Sequence, residues 1–409
     1  MVKTTIAAAL AALALAVPFA IAPAAAQEFD GNVKIGVLND RSSLYADTTG
    51  VGSEIAARMA VDDYMKANPQ SRLKVTVIAA DHQNKPDIGA AIARQWFEKD
   101  GVDMVVDVPN SAVALAVSDI AKQLNKVNIN ASAGTTRLTG DLCNANTLHW
   151  NFDNYALANG TGRAVIATGG DSWFFITADY AFGRDLEEQT SSVVKAQGGA
   201  VVGSVRVPIN TPDFSSFLLQ AQSSGAKVVG LANAGGDTIN SIKQAAEFGI
   251  SPKQRVAGLL IFITDIHSLG LKVTQGLNFT ESFYWDLNDQ TRAWTARFIK
   301  LRNNYPTSNQ AATYSGTLHY LKAMEVARSR DGKKVVEQMK AMPTDDPVLG
   351  KGTVRADGRK LQPMYLFEAK KPQESKSEWD LYKLVKTIPA DDVWRPLNAG
   401  GCPLVTKTQ

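Results

Sequence analysis

Two stretches of the chain, Gly101–Ser111 (GVDMVVDVPNS) and Gly225–Gly235 (GAKVVGLANAG), follow one plan: a short apolar run, small polar residues at its end, then an amphipathic segment. Such a run bounded by turn residues reads as a buried strand, and the segment behind it as a helix. In a parallel sheet, ligands collect at the carboxyl ends of the strands, where helix N-termini point free N–H groups. Two copies of the unit predict two such surfaces, and two surfaces facing each other make a cleft. A chain built this way is expected to capture a small solute.

The rest of the sequence extends the plan. Val33–Leu38, Leu73–Ala79, Val102–Val108 and Val127–Ile129 read as strands, with helices over Gly50–Ala67, Asp87–Glu98 and Ser111–Asn125. After Trp150 the alternation starts afresh. Strands are expected at Trp173–Thr177, Val201–Val207, Val228–Leu231 and Val256–Ile261, and helices at Gly183–Gln197, Phe214–Ser223 and Thr238–Phe248. Phe283–Trp285 reads as a strand leading back, Thr291–Asn303, Ala311–Arg328 and Lys333–Met342 as helices, and Met364–Phe367 with Leu381–Val385 as a terminal hairpin. Strands separated by helices give βαβ units, hence a parallel sheet covered by helices on both faces. The fold class is therefore α/β with two lobes and a cleft between them. One lobe takes residues 27–150 plus 283–347 and the other 151–282 plus 348–409, with crossings near 150, 282 and 348.

Residues 1–26 carry Lys3, an apolar run from Ile6 to Ile21 and then Ala24–Ala26, the pattern of a cleaved export signal. The run is shorter than the roughly 18 apolar residues a membrane span needs. Cleavage is expected near Ala26, leaving 42 basic against 40 acidic side chains over 383 residues. That near balance, with no basic block, speaks against a nucleic-acid partner, and the length exceeds the single-core range of about 250–300 residues. Exported thiols pair, so Cys143 and Cys402 are expected to form one disulfide. Its closed loop of roughly 260 residues is worth on the order of 4 to 5 kcal/mol in the chain-entropy account.

The catalytic possibilities thin out quickly. Gly50–Gly52 follows the first strand, but Ile55 stands where a dinucleotide fingerprint needs its third glycine. His82, His149, His267 and His319 are scattered without ligand spacing, so no metal is expected, and no nucleophile elbow occurs. No catalytic residue and no cofactor is assigned. Ser111 and the cluster Ser132, Ala133, Gly134, Thr135 and Thr136 sit at strand-to-helix turns, where they serve either as helix caps or as a seat for a ligand carboxylate. Tyr45, Tyr155, Tyr180, Phe262, Tyr284 and Trp285 fall near loop ends, where a flat ring with a hydroxyl suits a ligand wall.

Lys34–Leu38 (KIGVL), Asp179–Gly183 (DYAFG), Asp213–Phe217 (DFSSF), Gly235–Thr238 (GGDT) and Gln244–Gly249 (QAAEFG) together resemble the type I periplasmic solute-binding proteins of ABC importers, in the branched-chain amino-acid-binding (leucine-binding) class. The resemblance covers nearly all of the chain after residue 26. It implies two lobes joined by three crossing segments that close on a solute and dock on the importer's permease subunits, a non-enzymatic and monomeric receptor in the periplasm. It implies ligand contacts at Tyr45, at Asn110 and Ser111, at Ser132, Ala133 and Gly134, at Tyr180, and at Asn233 and Ala234. It also exposes a departure, because amino-acid-binding members hold the ligand ammonium with an acid near the end of the Val256–Ile261 strand, and here Leu259–Phe262 (LLIF) supplies none. Asp265 is the one candidate to replace it. The expected solute is accordingly a small organic carboxylate, aromatic or short-chain. A branched-chain or other amino acid is the alternative, and a ligand sensor for a signalling partner is the alternative of another class.

Overall fold

A computed structural model describes residues 1–2, 29–251 and 253–405. All but the first two residues of the expected export signal lie outside the described residues. The first sheet contains β1 (Asn32–Asn39), β2 (Lys74–Asp81), β3 (Met104–Asp107), β4 (Val127–Asn130) and β5 (Thr147–His149), with α1 (Gly50–Ala67), α2 (Pro86–Glu98) and α3 (Ser111–Gln123) between them. Its pairings are all parallel, in the order β2-β1-β3-β4-β5. Residues two apart share a face. Ile35, Val37, Met104 and Ile129 therefore enter one apolar layer, while Leu38 and Val105 enter the opposite one with Trp96 and Val117. Gly36 is glycine because the Trp96 indole lies where its Cβ would be.

The chain leaves through α4 (Asn154–Leu157), a π-helical turn at Ala158–Gly162 and α5 (Arg163–Ala167). A second parallel sheet follows, made of β6 (Ser172–Ala178), β7 (Ala200–Val207), β8 (Val228–Ala232) and β9 (Arg255–Gly258) in the order β7-β6-β8-β9. Its helices are α6 (Ala181–Ala196), α7 (Ser215–Ser223) and α8 (Gly236–Glu247). Both sheets wind the same way, and in each the third strand lies beside the first. The two similar stretches of sequence are thus β3 leading into α3 and β8 leading into α8. Each sits where strand order reverses, the place where such sheets open a crevice at their carboxyl ends.

Then come α9 (Ile263–Leu269), α10 (Leu271–Thr274), β10 (Asn278–Glu281), α11 (Asp289–Arg302), α12 (Ser308–Ala327) and α13 (Gly332–Ala341). Helix α12 packs along α1 on the first sheet, and sixteen of its twenty residues are buried. The short pair β11 (Thr353–Val354) and β12 (Lys360–Leu361) precedes the hairpin β13 (Met364–Ala369) and β14 (Tyr382–Ile388), which extends β10 into an antiparallel sheet. Cys143 and Cys402 are joined, with Cα atoms 5.5 Å apart.

Two expectations need correction. The strand expected at Phe283–Trp285 is β10, at Asn278–Glu281. Phe283 packs edge-on to Trp294 in the first lobe, whereas Tyr284 stacks on Tyr382 in the second. Dividing adjacent side chains between two cores turns the backbone out of strand pairing. The strand expected to run to Ile261 stops at Gly258, and residues 259–262 form the loop into α9. Near this point the connections between lobes lie side by side: the Ser282 hydroxyl donates to Asn151 Oδ1 at 2.6 Å, and the Arg359 guanidinium donates to the Asn151 carbonyl.

Candidate ligand-binding site

The loops at the carboxyl ends of the two sheets face each other. From the first lobe come Tyr45 and Thr48 after β1, Pro109 after β3, Ser132 and Gly134 after β4, and Asn309 at the start of α12. From the second come Tyr180 and Phe182 after β6, Ala234 after β8, and Leu260 and Phe262 after β9. They line a space of about 260 Å³ that is open in part to solvent. The space is narrow because Tyr45 and Tyr180 meet across it, hydroxyl to hydroxyl at 2.5 Å. Burial holds both phenols well above their ordinary value, so both stay neutral and one donates to the other.

Each wall is fixed by its own chemistry. The Asp40 carboxylate accepts the Tyr45 N–H at 2.7 Å and the Ser43 N–H at 3.0 Å, which sets the turn that presents Tyr45. Across the cleft, Gly235 has φ +59°, and a Cβ there would come 2.5 Å from the Leu44 carbonyl oxygen. The lobes also meet at Asp185 of α6, whose carboxylate accepts the Thr136 N–H at 2.7 Å, the Thr136 hydroxyl at 2.8 Å and the Asn154 amide at 2.8 Å. A Cβ on Gly134 would run into the Asn154 side chain and come 2.9 Å from the Phe182 ring. Gly134→Val should therefore prop the lobes apart and weaken ligand binding by at least about 100-fold, read by calorimetry. Native affinity in that variant would show that this close approach is not part of the bound state.

Among the described residues, no charged side chain lines the space. Behind Ser132, however, lies Asp107, fully buried at the end of β3. Asp107 has φ +87° and Val108 φ +56°, positions that side-chain-bearing residues, β-branched ones above all, adopt only under strain. The Ser132 hydroxyl donates to Asp107 Oδ1, and the Asn39 amide donates to Oδ2 at 2.9 Å. Burial pushes the Asp107 carboxyl up to about 6.

Of the residues named from sequence, the structure brings Tyr45, Ser132, Gly134, Tyr180, Ala234 and Phe262 to the cavity wall. The remainder stand behind it or elsewhere. Asn110 caps α3, its side chain accepting the Ala112 and Val113 N–H groups, and the Ser111 hydroxyl accepts the Thr135 N–H. Ala133 is buried, its carbonyl 2.7 Å from His149 Nε2. Tyr155 is half-buried on α4. Asn233 bonds Ser241 and Thr238 within its own lobe. Asp265 is buried and accepts the Phe262 N–H at 2.9 Å, with burial pushing it up to about 7. Tyr284 packs beneath the terminal hairpin, where its hydroxyl accepts the Leu381 N–H at 3.2 Å. Sequence reasoning missed Thr48, Pro109, Phe182, Leu260 and Asn309. Pro109 and Phe182 lay inside segments already singled out, whereas Asn309 arrives from a helix remote in sequence and had no local signal.

Comparison with known proteins agrees with this architecture. Residues 32–376 match the family described as periplasmic binding protein. A periplasmic binding protein from Burkholderia mallei is 49% identical and superposes with a TM-score of 0.89, over 91% of this chain and 99% of that one. A branched-chain amino-acid ABC transporter periplasmic ligand-binding protein from Burkholderia xenovorans LB400 is 39% identical, with a TM-score of 0.80 over 91% and 99% of the two chains. A solute-binding protein of an ABC transporter from R. palustris, in complex with benzoate, shares the fold at 20% identity, with a TM-score of 0.76 over 88% and 97%. With two lobes of one winding, facing strand-end loops and these likenesses, the chain belongs to the periplasmic binding protein family, in the branched-chain amino-acid class of ABC-transporter solute-binding proteins.

Proposed function

We propose that the protein captures a small aromatic monocarboxylate between its lobes and delivers it to the permease subunits of an ABC importer, acting as a monomer in the periplasm after cleavage near Ala26. The lobes in this reading are residues 27–150 with 283–347 and residues 151–282 with 348–409. The observation that carries it is the makeup of the cavity wall: the rings of Tyr45, Tyr180, Phe182 and Phe262, hydroxyl groups, and no charged side chain among the described residues. A flat guest stacks on such rings. The ammonium of an amino acid would meet no carboxylate, since Asp265 is turned to the Phe262 N–H, and a charge left unpaired in a closed cleft costs several kcal/mol. At the first-lobe end a carboxylate would seat beside Ser132, where the Gly134 N–H makes no hydrogen bond among the described residues. The R. palustris protein of the same fold holds benzoate, a ring of the size this reading requires.

Binding to the native state raises its stability by RT ln(1 + [L]/Kd), about 2.7 kcal/mol at 100 Kd. For a chain of this size that amounts to roughly 3 °C in melting temperature. Differential scanning fluorimetry should show such a rise with benzoate-type acids and none with leucine or valine. The reverse pattern would replace this reading with an amino-acid receptor, in keeping with the name of the B. xenovorans relative.

A further inference from the structure

The Ser132 hydroxyl has one hydrogen and two lone pairs, and its hydrogen is directed at Asp107 Oδ1. While Asp107 is ionised, Ser132 shows the cavity only lone pairs, and a carboxylate placed there meets oxygen against oxygen. Asp107 is not free to turn away. Its other oxygen is held by Asn39 Nδ2 at 2.9 Å, and the same amide donates to the Gly50 carbonyl at 2.8 Å. The backbone at Asp107 and Val108 is wound to positive φ, so the carboxyl stays packed behind the serine. If Asp107 gains a proton it becomes the donor, Ser132 accepts, and the serine hydrogen is released toward the cavity.

We propose that the Ser132–Asp107 pair makes carboxylate binding proton-linked, one proton being taken up from solvent when an anion seats on Ser132, whereas a guest offering O–H or N–H to Ser132 binds without uptake. The proposal rests on the reading above that the guest is a carboxylate. Asp107 acts through Ser132 and is a positioning residue. No covalent bond changes between heavy atoms: the proton comes from buffer and ends on an Asp107 oxygen, giving the chain Asp107 O–H to Ser132 Oγ–H to ligand carboxylate. The groups around the aspartate are neutral, namely Asn39 on β1, Ser53 on α1 and Ser132 after β4. Helix α3 begins with Ser111 and Ala112, and α12, which packs on β3, begins with Ser308, Asn309 and Gln310. The charge acting on Asp107 is the Arg41 guanidinium, itself paired with Glu54 at 2.9 Å. The nearby Asp40 carboxylate is occupied by Ser43 and Tyr45. Burial places the Asp107 titration near 6, so the unliganded pair is mostly without the proton at neutral pH.

The test is calorimetry of benzoate binding at pH 7.5 in phosphate and in Tris, whose ionisation enthalpies differ. The dependence on buffer should give uptake close to one proton for the native protein. The native affinity should fall about tenfold per pH unit above roughly 6.5 and level off below about 5. Asp107→Asn, whose amide donates to Ser132 permanently, should bind with no uptake and about 10- to 30-fold more tightly at pH 7.5. Circular dichroism and melting of that variant check that it folds, and a native pH series decides the matter equally if it does not. Benzoate bound by the native protein with no proton uptake overturns the linkage and leaves the carboxylate reading standing. Benzoate bound by neither protein at pH 5.5 or 7.5 overturns both.

Discussion

The Cys143→Ala/Cys402→Ala variant should melt about 5 °C below the native protein. The bridge joins residues 259 apart in sequence, and a loop of that length removes on the order of 4 to 5 kcal/mol of conformational freedom from the unfolded chain. Spread over the unfolding entropy of a chain this long, that becomes about 5 °C. Both sulfurs lie in buried residues, so the paired substitution is a cleaner comparison than adding reductant. The bridge also holds a particular piece of structure. It ties the C-terminal tail to the segment beginning at Thr136, against which Arg395 already donates to the Thr136 carbonyl at 3.1 Å. A variant that melts within about 1 °C of the native protein would mean that the unfolded chain is compact enough for the link to cost it little freedom.

The second large effect concerns Glu281, at the end of β10. It is 2% exposed. Tyr382 donates to its Oε1 at 2.8 Å, and Oε2 has no partner among the described residues. Burial pushes its carboxyl up to about 8, and the negative charge of Asp265 adds to the rise. A glutamate in the unfolded chain titrates near 4.3, so the folded state favours the protonated form. That contribution is fully present below about pH 4.3 and is lost as pH rises through about 8. It amounts to as much as about 5 kcal/mol. Native protein should therefore lose stability between pH 5 and 9, and Glu281→Gln, which still accepts from Tyr382, should lose markedly less. Asp265, pushed up to about 7, bends both curves the same way, so the difference between the two proteins is the measurement. Identical curves would show that Glu281 is ionised in the fold at little cost.

The fold was readable where burial follows a period. β3 and β8 are continuous apolar runs bounded by turn residues, and α1 was placed from Gly50 to Ala67 because its apolar positions recur at helical spacing. Where burial has no period, reading fails. Helix α12 is buried nearly all round and filled with Ser, Thr and Asn, so its first turn, which brings Asn309 to the cavity, carried no stripe to read. The segment Asn154–Ala167 was missed because Gly160 and Gly162 interrupt it. Its π-helical turn brings Gly160 against Thr280 of a distant strand, where no side chain would fit. Site residues were legible at strand ends, since strand order alone sends those loops to the crevice. Whether a side chain then faces the crevice or its own helix was not: Asp265 sits in a legible place, and its carboxylate is turned to the backbone of α9.

The pairing of Cys143 with Cys402 leaves no free thiol. One new cysteine on the exposed surface of α3 and another on α6 would be the only reactive sulfurs in the molecule. Donor and acceptor dyes attached there, on helices that approach each other across the lobes, would follow opening and shutting one molecule at a time without disturbing the native bridge.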